Sequence, residues 1–113
     1  MSINMIKLDD KYIFHLPLYK YANEELIAID SSIISNLMDL FNEKGYENAY
    51  VMKVKGYYKS RSFDELLITI FTSSTDNIKP DSIFKDWFIE NNDILEQDSF
   101  AYEYNDEMFI FEL

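Results

Sequence analysis

Apolar and polar residues alternate with a period of two in several stretches of this chain, which is the pattern of half-buried β-strands. The first stretch covers residues 11–19, and Asp9 and Asp10 separate it from a short apolar run, which predicts a tight N-terminal hairpin. Pro17 cannot donate to a strand ladder, so we expect this strand to lie at an edge or to bend there. One side of this strand carries Tyr12, Phe14, Leu16 and Leu18, and the other side carries Ile13 and His15.

Two other stretches carry apolar residues at spacings of three and four, which places them on one side of a helix. The first helix is predicted to begin after Asp30 or Ser31, since either side chain can cap it, and to end near Gly45. The second is predicted to begin at Pro80, whose missing N–H costs little in a first helical turn. Their apolar stripes are Ile33, Ile34, Leu37, Met38 and Phe41, and Ile83, Phe84, Trp87 and Phe88.

Four further runs are typical of strands. Residues 49–58 alternate, whereas residues 65–71 are apolar on both sides and therefore predict a more central strand. The C-terminal runs SFAYEY and EMFIFEL are separated by Asn105 and Asp106, which both tolerate positive φ. A hairpin is therefore predicted at the C-terminus.

The order of these elements predicts one α+β domain over residues 1–113, with a loop over residues 73–79. We expect an antiparallel sheet with two helices packed on one face. The inner order is that of the split βαβ, or ferredoxin-like, arrangement, with extra hairpins at the N- and C-termini. This arrangement serves many unrelated functions, so it does not predict an activity.

The composition supports a folded domain. Of the 113 residues 48% are apolar, with nine Phe and nine Tyr, which is enough for one hydrophobic core. The absence of cysteine excludes disulfides, thiolate metal sites and cysteine nucleophiles, and it fits a reducing compartment. With no apolar run of membrane-spanning length, we expect a cytoplasmic protein that does not bind membranes.

The formal net charge of −11 is unevenly distributed, because residues 81–113 hold ten acids and Lys85 as their one base. Such a segment repels phosphates, so direct nucleic-acid binding is not expected. It is typical of a solvated, solubilising face, and it is also compatible with a surface that attracts a basic protein. The residues predicted to form this surface are Asp86, Glu90, Asp93, Glu96, Asp98 and Glu103.

A search for chemistry in the sequence finds little. His15 is the single histidine, and neither a G-x-S-x-G motif nor a glycine-rich phosphate loop is present. A histidine between Phe14 and Leu16 in a strand is more typical of a structural role. We therefore predict no catalytic residue, no metal and no cofactor.

One cluster is unusual in an acidic chain, namely basic residues interleaved with tyrosines near residue 57. Such a ridge could bind an anion through cation–π and charge-assisted contacts, or could simply discourage pairing at a sheet edge. The ridge consists of Lys53, Lys55, Tyr57, Tyr58, Lys59 and Arg61.

These observations favour a non-enzymatic acidic binding module that engages a basic protein, in the manner of an inhibitor or immunity protein. The alternative is a homo-oligomeric domain that binds or acts on a small anionic ligand at the ridge, with His15 as a further member of the cleft. A third hypothesis is a structural subunit of a larger assembly.

Overall fold

The computed structural model describes residues 2–73 and 79–113, without the side chain of Tyr58, so the loop predicted over residues 73–79 lies largely outside the described residues. Strands and helices follow one another along the chain in the predicted α+β manner. In chain order they are β1 (Asp10–Pro17), β2 (Tyr19–Ala22), β3 (Glu25–Ala28), α1 (Ser31–Glu43), β4 (Tyr50–Tyr58), β5 (Arg61–Thr72), α2 (Pro80–Leu95), β6 (Ser99–Tyr104) and β7 (Glu107–Glu112).

Five of the strands form an antiparallel sheet in the order β4-β5-β1-β6-β7, and β2 pairs with β3 in a separate two-stranded sheet. The sheet and the two helices confirm the predicted α+β class. The finer prediction, a ferredoxin-like order with extra hairpins at both ends, is not confirmed. The described chain has no strand before β1, it inserts β2 and β3 before α1, and β7 extends the sheet beyond β6.

The helix ends follow the local sequence. Asp30 caps α1, because its Oδ1 accepts a hydrogen bond from the backbone N–H of Ser32 at 2.9 Å. Gly45 follows α1 with a φ of 96°, a conformation that favours glycine. Pro80 occupies the first turn of α2, and Glu96 ends that helix in the left-handed conformation. These turns direct the chain into the strands that follow.

The hydrophobic core lies between one face of the sheet and both helices. Its centre is Phe14 of β1, which is fully buried. The ring of Phe14 lies 4.7–5.8 Å, centroid to centroid, from the rings of Tyr12, Phe41, Phe84 and Tyr102. These contacts join β1, β6 and both helices in a single aromatic cluster, which holds the layers together.

The predicted N-terminal hairpin is wrong. Residues 2–9 contain no strand, and Asp10 instead begins β1, where its Oδ1 accepts a hydrogen bond from the Tyr104 hydroxyl at 2.9 Å. A hairpin does form later, between β2 and β3, through Asn23 and Glu24 with φ values of 52° and 65°. The sequence predicts no hairpin there, because this turn contains no glycine.

Of the two alternatives for β1, the edge position is wrong, since β1 lies between β5 and β6, whereas the chain does bend directly after Pro17, at Leu18. The ladder with β5 continues to Pro17, whereas the ladder with β6 covers only Tyr12 to His15. Because β6 stops pairing before residue 17, the missing N–H of the proline removes no ladder hydrogen bond on that side. Among the described residues, neither helix is long and apolar enough to cross a membrane.

Replacing Phe14 with alanine is expected to lower the free energy of unfolding by about 3–5 kcal/mol, because it leaves a cavity among four rings. Urea denaturation measures this change. The matched control is Ile89→Ala on the exposed side of α2, where Ile89 is 60% exposed and the change should stay within about 0.5 kcal/mol. Equal effects of the two substitutions would contradict the assignment of the core.

Candidate functional site

A cavity of about 740 Å³ opens at the end of the sheet where β1 ends and where β5 and β6 begin. The hairpin of β2 and β3 covers one side of it with Tyr21 and Leu26. The first residues of β5 form another wall, with Arg61, Phe63 and Glu65. The cavity is therefore built from segments that are distant in sequence and that meet because β1 separates β5 from β6.

Polar contacts hold the β2–β3 hairpin against the body of the protein. The Gln97 side chain donates a hydrogen bond to the backbone carbonyl of Tyr19 at 3.2 Å, and Lys20 Nζ lies 3.3 Å from Glu96 Oε2. Across the cavity, the Arg61 guanidinium lies over the ring of Tyr21, with 4.7 Å to the ring centroid. This cation–π contact links the hairpin to β5.

His15 lies on the sheet face opposite the helices, at the inner end of the cavity. The adjacent residues on the neighbouring strands are Leu67 of β5 and Ala101 of β6. Glu65 and Glu103 are its diagonal neighbours on the same face, since Glu65 lies two residues before Leu67 and Glu103 lies two residues after Ala101. Nε2 of His15 donates to Glu103 Oε2 at 2.8 Å, and Nδ1 lies 3.5 Å from Glu65 Oε1.

The two carboxylates raise the pKa of His15 above its usual value of 6.5, first through the hydrogen bond to Glu65 and then through Glu103. Partial burial acts in the opposite direction, since it disfavours the imidazolium. The carboxylates prevail because both accept hydrogen bonds from the charged ring. The group formed by Glu65, His15 and Glu103 is named the carboxylate–histidine cluster below.

The charge of the cavity is mainly negative. Arg61 is the one lysine or arginine side chain among its described lining residues. Four acidic residues line the same space, namely Asp64, Glu65, Glu96 and Asp98, although the Asp64 carboxylate faces Lys53 and Lys55 on the other side of the sheet. Together with the aromatic walls, these groups suit a ligand that carries positive charge and a flat ring, because carboxylates attract cations and aromatic faces stack on rings.

Phe63 can pack in the cavity wall because the residue opposite it, Gly56, has no side chain. Gly56 of β4 is its cross-strand partner, and a Cβ at position 56 would lie only 2.7 Å from Cε2 of the Phe63 ring. The ring therefore lies directly over the glycine backbone, which no other residue type would permit without a shift. This packing fixes one aromatic wall of the cavity.

A second cavity, of about 790 Å³, lies between the N-terminal segment and the end of β5, lined in part by Ile6, Leu8 and Phe71. Its described lining residues include no histidine and none of those that line the first cavity. In residues 2–73 and 79–113, no group of three His, Cys, Asp or Glu side chains is placed to hold a metal ion. The candidate site is therefore the cavity that contains His15.

The predicted acidic surface is not one surface. Asp86, Glu90 and Asp93 are exposed on α2, which packs on the core face of the sheet. Glu103 lies on the opposite face of the sheet, where it binds His15. The other two, Glu96 and Asp98, line the cavity.

The predicted ridge is also divided. Lys53 and Lys55 share one face of β4, where both approach Asp64, at 3.6 and 3.9 Å. Lys59 occupies the turn between β4 and β5 with a φ of 50°, and Arg61 points to the opposite face, into the cavity. The exposed ring of Tyr57 lies on the lysine side, and only the backbone of Tyr58 is described. Arg61 and His15 are thus the two members of the predicted cleft that do line one cavity.

Sequence reasoning missed Glu65 and assigned Glu103 to a surface. The available signal was that Glu65 interrupts an apolar strand on the face opposite the core, where a carboxylate needs a partner. Fold and site together define a class: a small acidic α+β protein with an aromatic, carboxylate-rich cavity at one end of its sheet.

Comparisons with known proteins identify solved structures with a similar fold. The structure is similar to a phage SAM lyase in complex with S-methyl-5′-thioadenosine, with a TM-score of 0.65 and 11% identity, over 100% of this chain and 96% of that chain. It is also similar to a phage SAM lyase in the apo state, with a TM-score of 0.58 and 10% identity, over 98% and 97% of the two chains. No protein-family model matches the sequence, and no curated protein matches it.

These likenesses overturn the predicted function. A non-enzymatic module for a basic protein is wrong, because the fold is shared along its whole length with an enzyme that acts on a small molecule. The acidic residues that motivated the prediction are divided between two faces of the sheet. The anionic ligand of the alternative is not supported either, since carboxylates outnumber the one guanidinium in the cavity.

The raised pKa of His15 has a consequence for stability. Because the imidazolium is favoured in the folded state, its contribution is fully present below the unfolded pKa of about 6.5 and is lost as the pH rises through the folded-state pKa. His15→Gln should therefore lower the free energy of unfolding by on the order of 1 kcal/mol near pH 6, and by less in alkaline solution. Urea denaturation from pH 5 to 9 measures this.

The matched controls for that experiment remove one negative charge each. Glu103→Gln should reduce the pH-dependent difference, because one of the two carboxylates that raise the pKa of His15 is lost, whereas Asp86→Asn at an exposed position of α2 should leave it intact. A His15→Gln effect of the same size at every pH would show that the ring acts only by packing.

The contact between Gly56 and Phe63 predicts a coupled pair of substitutions. Gly56→Ala should destabilise the protein by about 1–3 kcal/mol, because the new methyl group overlaps the ring. The same change should cost less in a Phe63→Leu background, where the overlap is relieved. A double-mutant cycle by chemical denaturation measures the coupling, and strictly additive effects would contradict the contact.

Proposed function

We propose that this protein is a lyase that cleaves S-adenosylmethionine and releases S-methyl-5′-thioadenosine. Its fold is similar over the whole chain to a SAM lyase in complex with that compound, which supports the class of substrate. The observation that carries the proposal is the cavity at the end of the sheet, since its aromatic walls, carboxylates and single arginine match the parts of this substrate.

Each part of the substrate has a complementary group. S-adenosylmethionine carries a positively charged sulfonium, which Glu65 can attract inside the cavity. Arg61 also lines this cavity, and its guanidinium suits the substrate carboxylate. The rings of Tyr21 and Phe63 offer faces on which an adenine base can stack.

The reaction can proceed within the substrate. Release of S-methyl-5′-thioadenosine requires cleavage of the bond between the sulfonium sulfur and the γ-carbon of the aminobutyryl group. An oxygen of the substrate carboxylate attacks that γ-carbon and forms a five-membered lactone, while the electron pair of the broken bond remains on sulfur. Both charges disappear, so no external proton, water or oxidant is consumed.

This loss of charge indicates how the walls of the cavity and Glu65 act on the substrate. The separated charges are stabilised by water, so a less polar enclosure with Leu26, Phe63 and Ile110 in its walls favours the transition state over the bound substrate. Glu65 stabilises the sulfonium before the reaction rather than during it, and is therefore a binding residue. The uncharged thioether product no longer attracts that carboxylate, which favours its release.

The pairing of the strands supports a proposal about architecture. The inner elements β1, α1, β4, β5, α2 and β6 would be one split βαβ unit, to which the β2–β3 hairpin and β7 are additions. The antiparallel pairing of β1 with both β5 and β6 is compatible with this arrangement. In that case the β2–β3 hairpin is an insertion into this unit that forms one wall of the cavity.

The proposal is tested by incubating purified protein with S-adenosylmethionine and measuring S-methyl-5′-thioadenosine by chromatography with mass detection. The compound should accumulate well above its rate of formation in buffer, together with homoserine lactone. Glu65→Gln should raise KM by about tenfold, equivalent to about 1.4 kcal/mol, and change kcat less, because the lost attraction acts on the bound substrate.

The matched control is Asp86→Asn, which changes the net charge equally on the exposed side of α2. It should behave as the unmodified protein does. No product above the buffer rate, together with no binding of S-methyl-5′-thioadenosine by calorimetry, would refute the proposed function.

A further inference from the structure

The carboxylate–histidine cluster has an unequal geometry. His15 Nε2 is close to Glu103 at 2.8 Å, whereas Nδ1 reaches Glu65 only at 3.5 Å. Of the two carboxylates, Glu65 lines the cavity and Glu103 does not. The imidazole is therefore anchored by the carboxylate outside the cavity and held loosely against the one inside.

Glu65 and Glu103 are the charged residues of the sheet that contact His15. The cross-strand row through His15 is otherwise uncharged and consists of Met52, Leu67, Ala101 and Ile110. Both helices pack against the other face of the sheet. Charged side chains elsewhere on the face of His15 are Lys11, Arg61 and Glu112.

An imidazolium and a sulfonium are both cations that the Glu65 carboxylate can stabilise. Each is a delocalised or soft cation that gains energy from one nearby carboxylate, and His15 lines the same cavity as Glu65. When the ring is protonated, Glu65 already has a counterion. When the ring is neutral, Glu65 retains its full negative charge for a cation in the cavity.

We propose that His15 is a positioning residue that shares Glu65 with the substrate, so that a cationic ligand binds most tightly when His15 is neutral. Glu103 anchors the ring, the ring orients Glu65 towards the cavity, and the arriving cation displaces the proton of the imidazolium. The substrate in this inference rests on the proposed function, whereas the cluster itself does not.

The site therefore selects for charge. Binding of a cation and protonation of His15 oppose each other, and by linkage each must weaken the other to the same extent. The raised pKa of His15 places this competition above pH 6.5, inside the range in which binding can be measured. An uncharged ligand of the same shape does not take part in the competition.

The first experiment uses magnetic resonance of the single histidine, whose ring signals need no assignment. The ring is titrated in the free protein, with sinefungin, and with S-adenosylhomocysteine. Sinefungin carries an ammonium group in place of the sulfonium and should shift the His15 titration to lower pH, whereas the uncharged thioether should not. Equal shifts with both compounds, or none with sinefungin despite demonstrated binding, would overturn the inference.

The second experiment is the pH profile of turnover. In the unmodified protein kcat/KM should fall about tenfold from one pH unit above the His15 titration point to one unit below it, with the change in KM rather than in kcat. His15→Asn should remove this step, and Glu103→Gln, which retains the histidine, should move it to lower pH. A step that persists unchanged in both variants would overturn the inference.

The outcomes separate this inference from the proposed function. Absence of product refutes the lyase, while the shift of the His15 titration by Glu65→Gln and Glu103→Gln still tests the cluster in the free protein. Product formation with an unaltered pH profile in His15→Asn supports the lyase and refutes the role of His15. Asp86→Asn is the charge-matched control in both experiments, since it lies on the other side of the sheet.

Discussion

The position of β1 between β5 and β6 is the constraint on which the rest of the structure depends. Its alternating side chains serve two different purposes, because successive residues of a strand point to opposite faces. Phe14 anchors the aromatic core against both helices, and His15, the next residue, faces Glu65 and Glu103 on the other side. A shift of register by one residue would bury the histidine and expose the core, so core packing also enforces the geometry of the site.

Much of the fold could be predicted because its signals are local. Asp30 and Gly45 at the ends of α1, Pro80 at the start of α2 and the alternation of β1 are each determined by near neighbours. The N-terminal hairpin was predicted wrongly because two adjacent acids resemble a turn, whereas Asp10 has a tertiary partner in Tyr104. Such a partner is not visible in the local pattern.

The site could not be predicted for the same reason. His15 and Glu103 are 88 positions apart and meet only because β1 and β6 pair in one particular register. The predicted ridge is divided at the turn between β4 and β5. Lys59 lies in this turn, and β5 then carries Arg61 on the face opposite Lys53 and Lys55. Net charge was equally uninformative, since it records how many carboxylates the chain has but not which of them converge.

Stability and ligand binding oppose each other at the carboxylate–histidine cluster. Two carboxylates near an apolar row of the sheet are unfavourable unless a cation lies between them, and the protonated form of His15 provides that cation. A cationic substrate that takes over Glu65 would therefore gain affinity only by removing a contact that stabilises the free protein. Under the proposed function, this opposition would limit how tightly the substrate binds, and it would favour release once the positive charge has been lost. A lysine at position 15 would hold Glu65 permanently, because its proton is lost only near pH 10.4. Histidine is the residue whose charge can be withdrawn at the pH at which the substrate arrives.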